Sequence, residues 1–360
     1  MISYKFKLYR TSKTKHIDMM LREASFVWNH ALAIQRRYYS IYGKYISSNS
    51  MQKHFSKRIK RRLLGAQTVQ EILQRLDLSY TRFFKKIASR PPKFKRAEDF
   101  TSFCYKQDGY SIDGNSVVLN TIKKKYKFSK SRDIDGKIKR LSIKRSGDSY
   151  YLVVVTDSIA KPYRKTHNGA SVGIDFGLKT YMTLSDGLEI ENPQELKKAL
   201  KELKIRSKKF SRCKKGSKNR KKAKLSLIRL YESISNKRSD FQWKLAHTLC
   251  REYDYIFLED LVLTGMTKMW GRKMSDLAHG EFVSKLIHVA SKYNVTVHKV
   301  DRWFASSKTC ECGYVNKSLS LSDRTWICDC CGSVNDRDLL ASKNILRKGI
   351  SELKSKSKTT

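Results

Sequence analysis

The chain opens on an alternation. In Met1-Ile-Ser-Tyr-Lys-Phe-Lys-Leu-Tyr-Arg10, apolar and basic residues take turns, which is the period of a half-buried strand. The period then lengthens. Ile17, Met20, Leu21, Ala24, Val27, Trp28, Ala31 and Leu32 recur at helical spacing, and so do Val69, Ile72, Leu73, Leu76, Tyr80, Phe83, Phe84 and Ile87. This predicts a helical unit over residues 13–89. Arg90-Pro91-Pro92 ends it, because proline lacks a donor and disfavours helix in the residue before it. Strands and turns follow over 90–167. Residues 112–119 and 141–155 have the apolar runs and Gly-containing turns of hairpins. The opening strand, residues 1–12, is assigned to that β unit, which makes the helical segment an insertion in it.

A mixed α/β pattern begins at residue 168. Strands are expected at 171–176, 179–185, 254–259 and 295–300, with a long basic helical stretch and a helix near 281–293 between them. The α/β domain spans 168–305 and is interrupted by a cysteine segment at 306–334. A closing helix over 335–350 and a polar, disordered tail over 351–360 complete the expectation. No internal repeat is evident.

Composition narrows the choice of partner. Lys and Arg number 76 against 33 Asp and Glu, a formal net charge of +43. Like charges repel in the compact state, so such an excess points to a polyanion, with nucleic acid the commonest. No apolar run approaches the ~18–20 residues of a spanning helix, and no membrane partner is expected. The N-terminal segment lacks the layout of an export signal, so the expected location is a prokaryotic cytoplasm, at the nucleoid where the polyanion is DNA. Eight cysteines in that compartment are better suited to metal than to disulfides.

Three carboxylates stand out. Asp175 lies in Ser171-Val-Gly-Ile-Asp-Phe-Gly177, Glu259 in Tyr255-Ile-Phe-Leu-Glu-Asp-Leu261, and Asp338 in Asn335-Asp-Arg-Asp-Leu339. The first two adjoin apolar strand residues, where an unpaired charge is costly. Singly, each has a plain explanation: Asp175 as a turn cap, Glu259 as an ion-pair partner, Asp338 as a helix-start acid favoured by the dipole. Together they are acids on a first strand, on a later strand and at the start of a closing helix. In an RNase H-like fold these positions converge. Two Mg²⁺ ions roughly 3.5–4 Å apart, clamped by carboxylates, are a standard means of phosphodiester hydrolysis. Asp260 should face away from Glu259 on its strand.

The cysteines pair as Cys310-x-Cys312 and Cys328-x₂-Cys331, with fifteen residues between the pairs. Two thiolate pairs on facing turns make a four-cysteine Zn²⁺ ribbon. The first turn is one residue short, Cys330 is a spare thiol, and a metal-free ribbon is the alternative. Cys104, Cys213 and Cys250 are isolated and assigned to structure. Residues 197–224 hold fifteen Lys or Arg and one acid, Glu202. Lys208, Lys209, Arg212, Lys214 and Lys215 in this stretch suit a surface that tracks phosphates, and a solvated helix face is the plain alternative. Tyr105, Tyr110, Tyr126 and Phe128 alternate with Lys123, Lys124, Lys125 and Lys127. That pattern suits either base stacking or a strand core.

With these residues in view, the chain resembles the TnpB family, the RNA-guided nucleases of insertion sequences, which are related to type V CRISPR effectors. The resemblance rests on Tyr4-Lys-Phe-Lys-Leu-Tyr9, Phe26-Val-Trp-Asn29, Arg90-Pro-Pro-Lys-Phe-Lys95, Gly173-Ile-Asp-Phe-Gly177, Leu258-Glu-Asp-Leu261, Ser306-Ser-Lys-Thr-Cys310 and Asp336-Arg-Asp338. It implies a wedge-type β-barrel carrying a helical recognition insert, followed by a RuvC nuclease domain of RNase H-like fold with an inserted zinc ribbon. It implies Asp175, Glu259 and Asp338 as the catalytic triad. It implies a guide RNA from the transposon end, double-stranded DNA bearing a short target-adjacent motif, and one protein per RNA. Gln67 and Gln70 lie on the helix whose counterpart contacts that motif. The chain departs from the family pattern at Leu340, where an Asn is usual.

The expectation is therefore a Mg²⁺-dependent RNA-guided DNA endonuclease. A guided repressor with weak or no cleavage and an RNA-independent transposase of the same fold are the rivals.

Overall fold

The computed structural model describes all residues except 59–62, 160–162, 164–168, 262–270, 272–273, 321–322 and 358–360. Two compact units divide the chain, Met1–Ala160 and Lys161–Thr360.

In the first unit, β1 (Ile2–Leu8) leads into helices α1 (Lys15–Tyr42), α2 (Ser48–Arg58) and α3 (Ala66–Phe84). Strands β2 (Ser102–Tyr105), β3 (Tyr110–Asp113), β4 (Ser116–Leu119), β5 (Lys124–Ser129), β6 (Ile138–Ser146) and β7 (Ser149–Thr156) follow. They form a sheet of order β2-β6-β7-β1-β5-β4-β3. The first strand thus sits inside the sheet, antiparallel to β7 and β5, with Phe6 opposite Leu152. Its alternation sorts the two faces, burying Tyr4, Phe6 and Leu8 and leaving the lysines outside.

Gly43 ends α1 in the left-handed conformation at φ 62°, its amide donating to Tyr39 O at 2.8 Å. Two separated motifs form one clamp. Asn29 Nδ2 donates to Lys95 O and Asn29 Oδ1 accepts from Lys95 N, both at 2.8 Å. The Trp28 indole donates to Lys93 O at 3.0 Å, and Lys95 Nζ lies 3.9 Å over the Trp28 ring. Tyr105, Tyr126 and Phe128 are buried in the core and Tyr110 packs half-buried against it, so this alternation is strand core rather than a stacking surface.

In the second unit, β8 (Ser171–Asp175), β9 (Thr180–Leu184) and β10 (Glu189–Glu191) precede α4 (Glu195–Arg212) and α5 (Lys218–Glu252). Then come β11 (Tyr255–Glu259), α6 (His279–Tyr293), β12 (Thr296–Val300), β13 (Thr325–Ile327), β14 (Val334–Asp336) and α7 (Arg337–Ser357). The main sheet has the order β10-β9-β8-β11-β12, in which β8, β11 and β12 run parallel and β9 lies antiparallel to both of its neighbours, β8 and β10. Period-two alternation gives it two faces. Val172, Ile174, Ile256 and Leu258 pack with Ala246 and Leu249 of α5 and Phe282, Leu286 and Val289 of α6. Phe257 and Val300 turn the other way, against Ile345, Leu346, Ile350 and Leu353 of α7.

That last contact corrects the expectation for the C-terminal segment. The closing helix does not stop at 350 before a disordered tail but continues to Ser357. Ile350 and Leu353 extend its apolar stripe, and Glu352 Oε2 lies 2.8 Å from His298 Nε2 on β12. No helix among the described residues is long and apolar enough to cross a membrane.

Candidate functional site

The three acids come from three elements that the fold brings to one edge. Glu259 follows Leu258 on β11 as Asp175 follows Ile174 on β8, and Leu258 pairs with Ile174 in the parallel register. Alternation puts Gly173, Asp175, Phe257 and Glu259 on the sheet face covered by α7. A Cβ on Gly173 would stand 2.1 Å from Ser342 O and 2.6 Å from Leu346 N. The missing side chain therefore lets α7 lie against β8. A second close approach pairs Gly349 with the Phe257 ring.

The start of α7 assigns its first residues separate tasks. Asp336 Oδ1 accepts from Leu339 N at 2.8 Å, capping the helix. Arg337 donates to the carbonyls of Ser320 and Asp323 at 3.2 and 3.4 Å, holding the preceding loop. Asp338, in the first turn, accepts from Arg324 Nη1 at 2.8 Å.

Burial, with the like charges of Asp338 and Glu259, pushes the Asp175 carboxyl up to about 7. Arg337 and Arg324 oppose that rise. Burial alone raises Glu259. Among the described residues, the three carboxylates are not drawn together as tightly as the thiols described below. As an all-oxygen donor set on a shared edge they suit a hard divalent cation. Asp260 is occupied elsewhere, paired with Lys299 at 3.0 Å and with Arg302.

Two supporting residues carry no sequence signal that would have marked them. Arg324 is one basic residue among many. His279 starts α6 almost fully buried, with its ring 4.6 Å from that of Phe176, the neighbour of Asp175. Burial holds its imidazole down at about 4, so it is neutral in the physiological range and packs as an aromatic ring between Phe176 and Tyr181.

The cysteine pairs do meet. Cys310, Cys312, Cys328 and Cys331 have sulphurs all within 4.8 Å of one another. Cys310 Sγ is 3.6 Å from Cys331 Sγ, and Cys312 Sγ is 3.6 Å from Cys328 Sγ. Tetrahedral Zn–S bonds of about 2.3 Å put sulphurs roughly 3.8 Å apart, so the quartet fits a structural metal. The shortened first turn closes through Gly313 N donating to Cys310 O at 3.0 Å. Cys330 is exposed and stands outside the group. Asn344 on α7 donates to Ser306 O and Thr309 O at 2.8 and 2.6 Å, tying the ribbon's entry to the helix. Leu340 is buried with Cys310, Cys328, Trp326 and Leu319.

The basic stretch is a helical hairpin of α4 and α5. Leu203, Leu230 and Ile234 form its seam, and Arg206 donates across it to Ser226 O at 2.7 Å. Gly216, at φ 85°, makes the turn possible. Lys208, Lys209, Arg212, Lys214 and Lys215 are all exposed around that turn. In the first unit, Gln67 Oε1 accepts from the amides of Gln107 and Asp108 at 3.1 and 3.2 Å, so its side chain braces that turn; Gln70 is exposed.

Comparison with known proteins gives a consistent picture. Residues 151–269 match the OrfB_IS605 family model, described as a probable transposase, and residues 279–345 match the Cas12f1-like TNB domain. A Streptomyces pristinaespiralis protein named "Putative RNA-guided DNA endonuclease" is 29% identical over 364 residues, covering 97% of this chain and 89% of the relative. An Escherichia coli K12 protein of the same description, InsQ, is 27% identical over 350 residues, covering 90% of this chain and 86% of its own length. The mixed α/β fold is similar to the protein of a Cas12f1–sgRNA–target DNA complex solved by cryo-EM. The TM-score is 0.58 at 15% identity, over 93% of this chain and 83% of that one.

Proposed function

We propose that this chain, which resembles the TnpB family across nearly its whole length, is a transposon-encoded RNA-guided DNA endonuclease. The observation that carries the proposal is the convergence of Asp175, Glu259 and Asp338 from β8, β11 and α7, with the Asp175 carboxyl raised to about 7 by burial and by the other two. A strongly perturbed carboxylate at the carboxyl end of a parallel strand, with further acids beside it, is the expected mark of such a site. In this assignment the second unit is a RuvC domain of RNase H-like fold with an inserted zinc ribbon, and the first is a wedge-type β domain with a helical recognition insert.

Two Mg²⁺ ions held by Asp175, Glu259 and Asp338 would supply charge neutralisation and an activated water for in-line phosphodiester hydrolysis. The chain's own residues do the rest. Arg337 and the Asp336 cap fix the start of α7, which carries Asp338 near enough for its charge to be felt at Asp175. Arg324 orients the Asp338 carboxylate. Zn²⁺ on the four cysteines would hold the ribbon that carries Arg324.

The guide RNA would be the transposon-end transcript, with target sequence read by RNA–DNA pairing and duplex shape read by the protein. The exposed cations of the α4–α5 hairpin would follow its phosphates. Gln70, exposed on α3, is a better candidate than Gln67 to touch a target-adjacent motif, since Gln67 is engaged with residues 107–108. The position of Leu340 in the ribbon core weighs against the repressor reading, because that departure from the family pattern serves packing rather than the carboxylates.

The test is to purify the protein with RNA from its native locus and present a matched plasmid library in Mg²⁺. Linear product from the wild type and none from Asp175→Ala, with RNA retained by both, is the expected result. Cutting by Asp175→Ala at the wild-type rate overturns the site assignment, and purification without RNA overturns guidance.

A further inference from the structure

Trp303 is 86% exposed, an unusual position for an indole. Its place is fixed by the fold. Val300, the last residue of β12, pairs with Glu259, and the chain turns immediately afterwards. Asp301 Oδ1 accepts from Trp303 N at 2.7 Å, and Asp301 O accepts from Phe304 N at 3.2 Å. Phe304 is turned inward, with Lys348 Nζ 6.0 Å over its ring. The same turn directs Trp303 outward, within three residues of the strand position that neighbours a proposed catalytic acid.

The indole forms one wall of an open depression of about 500 Å³, lined also by Asp260, Lys299, Val300 and Arg302. Lys299 and Arg302 are both committed to Asp260. Asp260 and Asp301 balance those two cations, so the depression offers little net charge to a phosphate. Its feature is a flat, water-exposed π-face on a shallow, open surface. The chemistry that suits such a face is a planar heteroaromatic ring, because base–aromatic stacking tolerates every base and needs no charge.

We infer that Trp303 is a stacking platform for one unpaired nucleobase of the DNA strand presented to Asp175, Glu259 and Asp338. The inference rests on the endonuclease reading and assigns that site a substrate-positioning residue. A base held there fixes where the strand crosses the carboxylates while the phosphates are left to other cations. The contact is therefore insensitive to base identity and weakly sensitive to salt.

The test uses the protein with its co-purified RNA and a matched single-stranded target in which one abasic nucleotide is moved position by position. For the wild type, one position should slow cutting by about tenfold, the scale of a single stacked base. Trp303→Ala should slow cutting of intact DNA by a similar factor and be indifferent to the abasic nucleotide at that position. Trp303→Phe should recover most of the rate. Equal cutting by wild type and Trp303→Ala on every substrate overturns the inference, as does an unchanged abasic profile in Trp303→Ala. A separate readout keeps the two readings distinguishable. Short single-stranded DNA should quench tryptophan fluorescence in the Asp175→Ala protein, and Trp303→Phe in that background should remove the quench. A quench without any cutting by wild type would retain the stacking site and reject the nuclease; a quench unaffected by Trp303→Phe rejects the stacking site.

Discussion

Gly173 of β8 lies directly beneath the Ser342 carbonyl of α7, so close that a methyl group at 173 would stand 2.1 Å from that oxygen. The contact is backbone on backbone, and no side-chain rotation can relieve it. Since α7 carries Asp338 and β8 carries Asp175, the separation of these two acids depends on it. Gly173→Ala should push the helix off the strand, lowering stability by about 1–3 kcal/mol as overpacking does. Denaturant unfolding would measure that loss. Cutting should fall further than the stability loss explains, because the carboxylates are parted even in molecules that remain folded.

Asp175 links stability to pH. Its carboxyl titrates near 3.8 in an ordinary setting and at about 7 in the folded protein. Over that window the folded state holds a proton that the unfolded chain has released, so stability falls as pH rises from about 4 to 7 and stays low above it. Asp175→Asn removes the titration. The variant should match the wild type below pH 4 and exceed it above pH 7, by at most about 4 kcal/mol. Thermal melts in EDTA across this range would check the sign; a variant less stable than wild type at pH 8 would contradict it. Added Mg²⁺ should stabilise the wild type and not the variant, which reads the same carboxylate without an activity assay.

Much of this site is legible in the sequence, for a definite reason. A carboxylate ending an apolar strand is conspicuous, and period-two alternation places Asp175 with Gly173 and Glu259 with Phe257 on one face. Cysteine pairs announce themselves by spacing. What is not legible depends on long-range contacts. Arg324 has the composition of a surface cation until the fold sets it 2.8 Å from Asp338. Among the described residues His279 has no hydrogen-bond partner to mark it, being held by the rings of Phe176, just after β8, and Tyr181 of β9. The segment after residue 350 has a polar composition, and only its packing on Phe257 and β12 shows why the helix continues. Tyr105, Tyr126 and Phe128 alternate with lysines equally well in a stacking surface and in a strand, and burial settles the matter in favour of the strand.

The ribbon separates its own thiols. Four sulphurs cluster and Cys330 does not, although it lies between Cys328 and Cys331 in the chain. Elemental analysis should find one zinc per chain. Cys330→Ser should retain it, and Cys328→Ser should lose it along with the ribbon, since binding to such sites is worth about 10–16 kcal/mol in small zinc domains. Equal zinc content in both variants would reject the assignment.

The α4–α5 hairpin presents five cations at its turn with no acid among them. Replacing Lys208, Lys209, Arg212, Lys214 and Lys215 by Gln should weaken nucleic-acid binding without a change in melting temperature, because all five side chains are exposed. Each phosphate contact contributes about 0.7–0.9 to the slope of log K against log salt. A variant that has lost three such contacts should therefore show a slope shallower by about 2 to 3. An unchanged slope would mean that the hairpin is simply solvated.

Leu340 provides the sharpest contrast between pattern and environment. Restoring the residue usual in the resembling family, Leu340→Asn, appears conservative from the motif alone. In this protein the side chain is 4% exposed and packed with Trp326, Leu319 and two of the cysteines. An amide in that position loses the apolar contacts and brings a polar group into the cluster, which costs about 1–3 kcal/mol. The ribbon should loosen, zinc should exchange faster, and cutting should fall rather than rise. Faster cutting with an unchanged melt would instead place residue 340 in support of Asp338 and revive the view that this position limits catalysis. The two outcomes differ in sign, so one melt and one cleavage rate on a single variant decide between them.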